Sequence, residues 1–307
     1  MRRTRIWAVA GTAACAAAAA FIAPHAAAST AGAPAVSSVA AASSVAAAGQ
    51  LYYLNGAKIM RMPAAGGAAK LVVADAHSES VTGMAIADGR LFWVSDDSSN
   101  QPIRYVELAN PAQQHTLITG LDFPNALLAA GGWLYYVDQH AIGRVKFNGT
   151  GLTRRFIQMS QENGGGVADG LATNGSQLYF SRCQNDEIGR VTLSGSALDM
   201  SFIKLPKLSC PQDLAVGNTH IYWSELGGHV GRATLTGQGA SANWLNIKEG
   251  AGPFSIAADN TSVFWAWGGE AGAPMYVGTA SVSGTGVRTR FVTGGGAFAL
   301  TALGAGA

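Results

Sequence analysis

Six short segments of the chain share one pattern: an apolar residue, two aromatics and a fourth, smaller residue. They are LYYL (51–54), LFWV (91–94), LYYV (134–137), LYFS (178–181), IYWS (221–224) and VFWA (263–266). Their first aromatics, Tyr52, Phe92, Tyr135, Tyr179, Tyr222 and Phe264, follow one another at 40, 43, 44, 43 and 42 residues. Unbroken apolar runs this short, set between turn residues, read as strands buried on both faces. Eight residues before each of the last five lies a companion strand, beginning at Met84, Leu127, Leu171, Leu214 and Ile256. These companions end in Gly, Asn, Asp, Ser or Thr, which suits a tight turn into the aromatic strand.

A third strand follows in KIMRM, PIRYV, AIGRV, EIGRV and HVGRA. Arg61, Arg104, Arg144, Arg190 and Arg232 are read there as one repeated place, with Thr279 in the sixth copy. Five copies of one arginine suit repeated ion pairs and backbone hydrogen bonds better than catalysis. Glycine turns such as NGTG, SGSA, TGQG and SGTG lead into a fourth apolar strand, KLVVA, HTLIT, RRFIQ, SFIKL, NWLNI or TRFVT. Four short antiparallel strands every 42 or so residues describe a propeller blade. The chain is therefore expected to be all-β, a six-bladed β-propeller over residues 50–304. The first repeat lacks a good innermost strand, and GAFALTALG (296–304) resembles one with nothing after it. We expect this C-terminal strand to complete the first blade and close the ring, which removes the open edges of a row of blades. Residues 39–48 are the alternative for that place.

On these residues the chain resembles the six-bladed YWTD propellers, the class B repeat of low-density lipoprotein receptors. LYYVDQHAIGRVKFNGTGLTRRFI has that family's aromatic pair, acid, Ile-x-Arg strand and Asn-Gly turn. The likeness covers essentially all of residues 50–303 and is similar in architecture to TolB-like propellers, NHL propellers, gluconolactonase-like hydrolases and streptogramin lyases. The acid after the aromatic strand is Asp138 in the third copy, but the other copies depart from it. The growth-factor-like modules that flank receptor propellers are absent from the 307 residues, so a receptor role is not carried over.

Composition refines the picture at the N-terminus. MRRTR, the apolar IWAVAGTAACAAAAAFIA and the small residues Ala26 and Ala28 read as an export signal over 1–28, cleaved after Ala28. An uncut anchor and lipidation at Cys15 are the alternatives. Residues 29–49, almost all Ala, Ser, Val, Pro and Gly, read as a linker. Removing the leader takes Arg2, Arg3 and Arg5, leaving 20 − 3 = 17 basic against 18 acidic residues. No basic cluster survives, so nucleic acid is not an expected partner. No later apolar stretch is long enough to span a bilayer. A secreted monomer is expected.

An exported chain permits disulfides. In the propeller order Cys183 falls between the second and third strands of blade four, and Cys210 in the link to blade five. Antiparallel order puts both at one face, so a Cys183–Cys210 bond is expected. A metal pair or free thiols are the alternatives. The same face carries the residues just ahead of the inner strands: Thr82, Asn125, Asp169, Gln212 and Phe254, with Asp213 beside them. Asp96, Asp97, Asp138, His140, Glu225 and His229 are placed on nearby loops, and Phe123, Phe254 and Trp267 as exposed anchors.

Two functions lead, with a structural spacer on the cell envelope as a third option. The first is a non-catalytic binding module that offers its channel mouth to a protein, peptide or glycan. The second, suggested by the resemblance, is a metal-dependent hydrolase, lactonase or lyase in which Asn125 and Asp169 oxygens, with Gln212 beside them, hold Ca²⁺ or Mg²⁺. Asn and Asp also serve as ordinary turn residues. No G-x-S-x-G, H-E-x-x-H, P-loop, G-x-G-x-x-G or EF-hand loop is present.

Overall fold

A computed structural model describes residues 49–76, 81–95, 100–139, 141–159, 168–247, 252–268, 275–294 and 300–303. The expected leader, almost all of the linker, His77, Asp96, Asp97 and His140 lie outside the described residues. Blade one combines β1 (Gln50–Asn55), β2 (Lys58–Pro63) and β3 (Lys70–Val73) with β24 (Leu300–Leu303). Blade two is β4 (Val81–Ala87), β5 (Arg90–Ser95), β6 (Ile103–Glu107) and β7 (Asn110–Ile118). Blade three is β8 (Ala126–Ala130), β9 (Trp133–Asp138), β10 (Ala141–Lys146) and β11 (Thr153–Gln158). Blade four is β12 (Leu171–Thr173), β13 (Gln177–Arg182), β14 (Glu187–Thr192) and β15 (Asp199–Lys204), with a 3-10 turn over Cys183–Asn185. Blade five is β16 (Pro211–Val216), β17 (His220–Glu225), β18 (His229–Thr234) and β19 (Ser241–Asn246). Blade six is β20 (Pro253–Ala258), β21 (Ser262–Gly268), β22 (Met275–Ser281) and β23 (Arg288–Gly294).

All blade pairings are antiparallel, and in blades two to six strand order follows the chain. Blade one is the exception: β24 pairs with β1, from Gln50↔Leu303 to Tyr53↔Leu300. The C-terminal strand thus closes the ring, as expected. Inner strands β24, β4, β8, β12, β16 and β20 adjoin in turn, and β24 touches both β20 and β4.

The aromatic pairs explain the second strand. Phe92, Trp93, Tyr135, Tyr136, Phe180, Trp223, Phe264 and Trp265 are all fully buried. In blades three to six one ring of each pair lies across a glycine of the third strand. Tyr136, Phe180, Trp223 and Trp265 stand opposite Gly143, Gly189, Gly231 and Gly278. A Cβ on any of these four glycines would overlap the ring facing it. That is the physical meaning of the glycine in Ile-Gly-Arg.

The following arginine reaches the next blade. Arg144 Nη1 donates to Leu193 O at 3.2 Å, and Arg232 Nη1 to Val282 O at 3.2 Å. Both guanidinium groups stack on aromatics, Arg144 on Trp133 and Phe156 and Arg232 on Trp244. Arg104 does not belong to this series. It pairs with Trp93, while Tyr105 faces Phe92 and takes the repeated place. Arg90 supplies the missing charge from the neighbouring strand: it stacks over Tyr105 and donates to Phe147 O at 3.4 Å on blade three.

Candidate functional site

The mouth of the channel is the end at which the inner strands begin. Three inner strands have a register shift there: between Val81 and Gly83, Pro211 and Asp213, and Pro253 and Ser255. The intervening residues are Thr82, Gln212 and Phe254, three of the positions expected at the mouth. A bulge adds one residue to one strand and re-aims its side chain. Asn125 and Asp169 occupy the corresponding places ahead of β8 and β12.

These polar groups join blades to one another. Thr82 Oγ1 donates to Pro124 O at 2.6 Å. Asn125 Nδ2 donates to Asp169 O at 3.4 Å, and Ser181 Oγ to Gln212 O at 3.2 Å. Asp213 Oδ2 accepts from Ile256 N at 2.9 Å and Ser255 Oγ at 3.4 Å. Consecutive steps from blade two to blade six each carry at least one such bond, between residues more than thirty positions apart in sequence.

Blades four and five form the most elaborate sector. The Cys183–Cys210 disulfide ties the 3-10 turn to the link between the blades. Cys183 N donates to Asp169 Oδ2 at 2.9 Å, and Gln212 Nε2 donates to Cys210 Sγ at 2.8 Å. Asp186 holds the link from the other side, accepting Cys210 N at Oδ1 and Leu208 N at Oδ2. Asp169, Gln212 and Asp186 are therefore positioned through one covalent bridge.

Electrostatics distinguish the same sector. Burial pushes the Asp169 carboxyl up to about 7, against the Cys183 N–H that favours its charged form. Burial likewise raises Glu225 to about 7, with the Trp223 indole N–H opposing and the nearby Asp186 charge assisting. Asp213 is fully buried and pushed well above the carboxylate range, chiefly by burial. Its Oδ1 has no hydrogen-bond partner among the described residues. That oxygen faces Gly170, where a Cβ would collide with Asp213.

The anchors divide. Phe123, on the link between blades two and three, is 57% exposed, and Phe254 is half-buried. Trp267 is not an anchor: it is 2% exposed, stacks on Tyr276 and donates its indole N–H to Thr289 O at 2.6 Å. Its place at the strand end conceals a neighbour across the blade. The residue that sequence reading missed is Leu208, 90% exposed on the disulfide-bridged link. Its signal was its setting, Pro206-Lys-Leu-Ser-Cys-Pro211.

A divalent ion at Asn125 and Asp169 finds a poor donor set. Ca²⁺ takes six to eight oxygens, several of them carboxylate. The Asn125 amide nitrogen is turned to a backbone carbonyl, and one Asp169 oxygen already holds an N–H. Among the described residues, no three His, Cys, Asp or Glu side chains form a metal-holding group. These residues do not fit the metal.

No family model matches the chain, and no curated protein matches it. Solved structures do. A chain of the nidogen/laminin complex is 16% identical, with a TM-score of 0.65 over 82% of this chain and 97% of that one. TolB from Acinetobacter baumannii is 13% identical, with a TM-score of 0.62 over 82% of this chain and 66% of that one. The fold is that of the six-bladed YWTD and TolB-like propellers. A streptogramin B lyase is also similar, 16% identical with a TM-score of 0.56 over 83% of each chain. A chain from a complex and an enzyme thus share this propeller's architecture, and such likenesses carry the fold alone. Among the described residues, no helix of this propeller is long and apolar enough to cross a membrane.

Proposed function

We propose that this propeller is an exported, non-catalytic binding module whose ligand is a protein docking at the channel mouth. The observation that carries the reading is the division of labour at that mouth. Its polar side chains are engaged within the fold, those of Thr82, Asn125 and Asp213 between blades and those of Asp169 and Gln212 at the disulfide, while Phe123 and Leu208 project from braced links. Phe123 N is held by Gln101, Leu208 N by Asp186, and Cys210 by the disulfide. Both residues have positive φ, +49° and +70°, a backbone state that costs a non-glycine residue roughly 1–3 kcal/mol. Exposed apolar side chains on pre-ordered backbone lose little entropy on binding. The likeness to a chain from a complex supports a protein ligand, and the leader and the disulfide support export.

In this reading the mature chain begins after Ala28 and acts as a monomer. Residues 29–49 tether the ring, entering at Gly49. Gly49 O accepts from Ala64 N, at the end of blade one opposite the mouth. The test is site-specific photocrosslinking in the producing culture. A photoreactive residue at Phe123 or Leu208 is expected to give a discrete adduct, and one at Leu152 or Leu198, on the opposite hairpins, none. Adducts from the opposite hairpins alone, or none from either end, would overturn the assignment.

A further inference from the structure

Among the described residues three asparagines stand directly before a glycine: Asn55, Asn148 and Asn174. In such a pair the glycine nitrogen can attack the side-chain amide, because no Cβ blocks the approach. The attack needs an amide that is free to turn and a nitrogen that is not engaged. Asn148 and Asn174 offer neither. Asn148 Oδ1 accepts Thr150 N at 3.1 Å and Thr150 Oγ1 at 2.7 Å, and Gly149 N donates to Lys146 O at 2.9 Å. Asn174 Oδ1 accepts Ser176 N, Ser176 Oγ and Gln177 N at 3.1, 3.0 and 2.8 Å, and its Nδ2 donates to the Tyr179 hydroxyl at 3.1 Å. Gly175 N donates to Thr173 Oγ1 at 3.0 Å. Asn55 differs. Neither its side chain nor Gly56 N has a hydrogen-bond partner among the described residues. Gly56, at φ +60°, has open space where a Cβ would stand. Asn55 is half-buried and the other two are exposed, so exposure alone would rank them the other way.

We propose that Asn55 is a site of spontaneous deamidation in the folded protein, which puts a carboxylate on the mouth face of blade one. Gly56 N bonds to Asn55 Cγ, the Cγ–Nδ2 bond breaks, and Nδ2 leaves as ammonia with the proton lost from Gly56 N. Water then opens the cyclic imide at either carbonyl, giving aspartate or isoaspartate at position 55. Nothing is oxidised or reduced. β24 begins opposite Tyr53, so the end of β1 lies at the mouth. Asn55 faces Lys58 there across the Gly56-Ala57 turn. An aspartate opposite that lysine makes a favourable cross-strand pair. An isoaspartate instead adds a methylene to the main chain just ahead of Ala57, whose carbonyl accepts Ala76 N at 2.7 Å. Ala76 O in turn accepts the Trp93 indole N–H at 3.2 Å. The isoaspartate form thus disturbs the link from blade one to blade two, and the aspartate form leaves it in place. The modification needs no ligand and goes beyond the binding reading.

The test is peptide mapping by mass spectrometry after the folded protein has been held at mildly alkaline pH. Digestion is with pepsin in acid, so that the digestion itself adds no conversion. Aspartate and isoaspartate should accumulate at position 55 at least tenfold faster than at positions 148 and 174. The same incubation in urea should bring the three rates within a few-fold of one another, because the hydrogen bonds that separate them are gone. Gly56→Ala should slow conversion at position 55 several-fold. No conversion at position 55, conversion at 148 or 174 as fast as at 55, a tenfold preference that persists in urea, or an unchanged rate in Gly56→Ala overturns the proposal. The comparison of the three sites uses the unaltered protein and needs no variant to fold.

Discussion

Replacing both Cys183 and Cys210 with serine tests how the mouth is built. The two half-cystines are 27 positions apart. Closing a loop of that length in the unfolded chain costs about 3.5 kcal/mol of entropy at 25 °C, all of which the double variant forfeits. The Gln212 contact to Cys210 Sγ goes too, while the ring's strand pairings do not pass through the bridge. For a domain of this size each kcal/mol moves the midpoint by about 2–4 °C, so a drop of roughly 7–14 °C is expected with the far-ultraviolet spectrum unchanged. Thermal melts by circular dichroism measure it, with thiol titration of the unfolded parent as the control. An unchanged midpoint, or two free thiols in the parent, would refute the reasoning.

Three further outcomes follow from the geometry. Gly231→Ala places a Cβ inside the Trp223 ring and should cost about 2–4 kcal/mol in urea unfolding, as overpacking of a rigid core does; a neutral result would show that blade five can repack. Asp169 and Glu225 have carboxyls raised to about 7 in the folded state against about 4 unfolded, so the unfolded chain releases protons first as pH rises. Stability should therefore fall as pH rises from about 4 to 7, with buried Asp213 adding to the fall, and Asp169→Asn with Glu225→Gln should make that slope shallower in melts across the range; a slope untouched by both changes contradicts the assignment. Ending the chain at residue 299 removes β24 and bares the inner edge of β1, so loss of the cooperative transition and aggregation on a sizing column are expected, and a monomer with parental stability would show that the ring does not need its last strand.

The period of the aromatic pairs made the blades legible, because each blade must bury both faces and so repeats its apolar runs. The disulfide was legible once strand order put Cys183 and Cys210 at one end. Arg104 was misplaced because its segment was aligned on arginine. Aligned on Ile103 and Ile142, Tyr105 falls at the place of Arg144, and the register agrees. Trp267 was misread because strand position alone does not reveal Tyr276 on the adjacent strand. The mouth was the least legible part. Its positions were found by counting back from the inner strands, but their bonds join residues some forty apart, such as Thr82 to Pro124 and Asp213 to Ile256. No local motif encodes such pairs. Leu208 escaped because a single leucine in a loop carries no pattern of its own.

Ring closure through β24 also sets the order in which the molecule can become whole. β1 is the first described strand to leave the ribosome, and its inner partner β24 is the last described one. Throughout synthesis blade one lacks its inner strand, and the rows of inner strands on either side of it have no neighbour to close against. Ring closure therefore waits for residues 300–303. In the export reading proposed above, a chain that threads through a translocation channel gains from that order, because ring closure waits for β24.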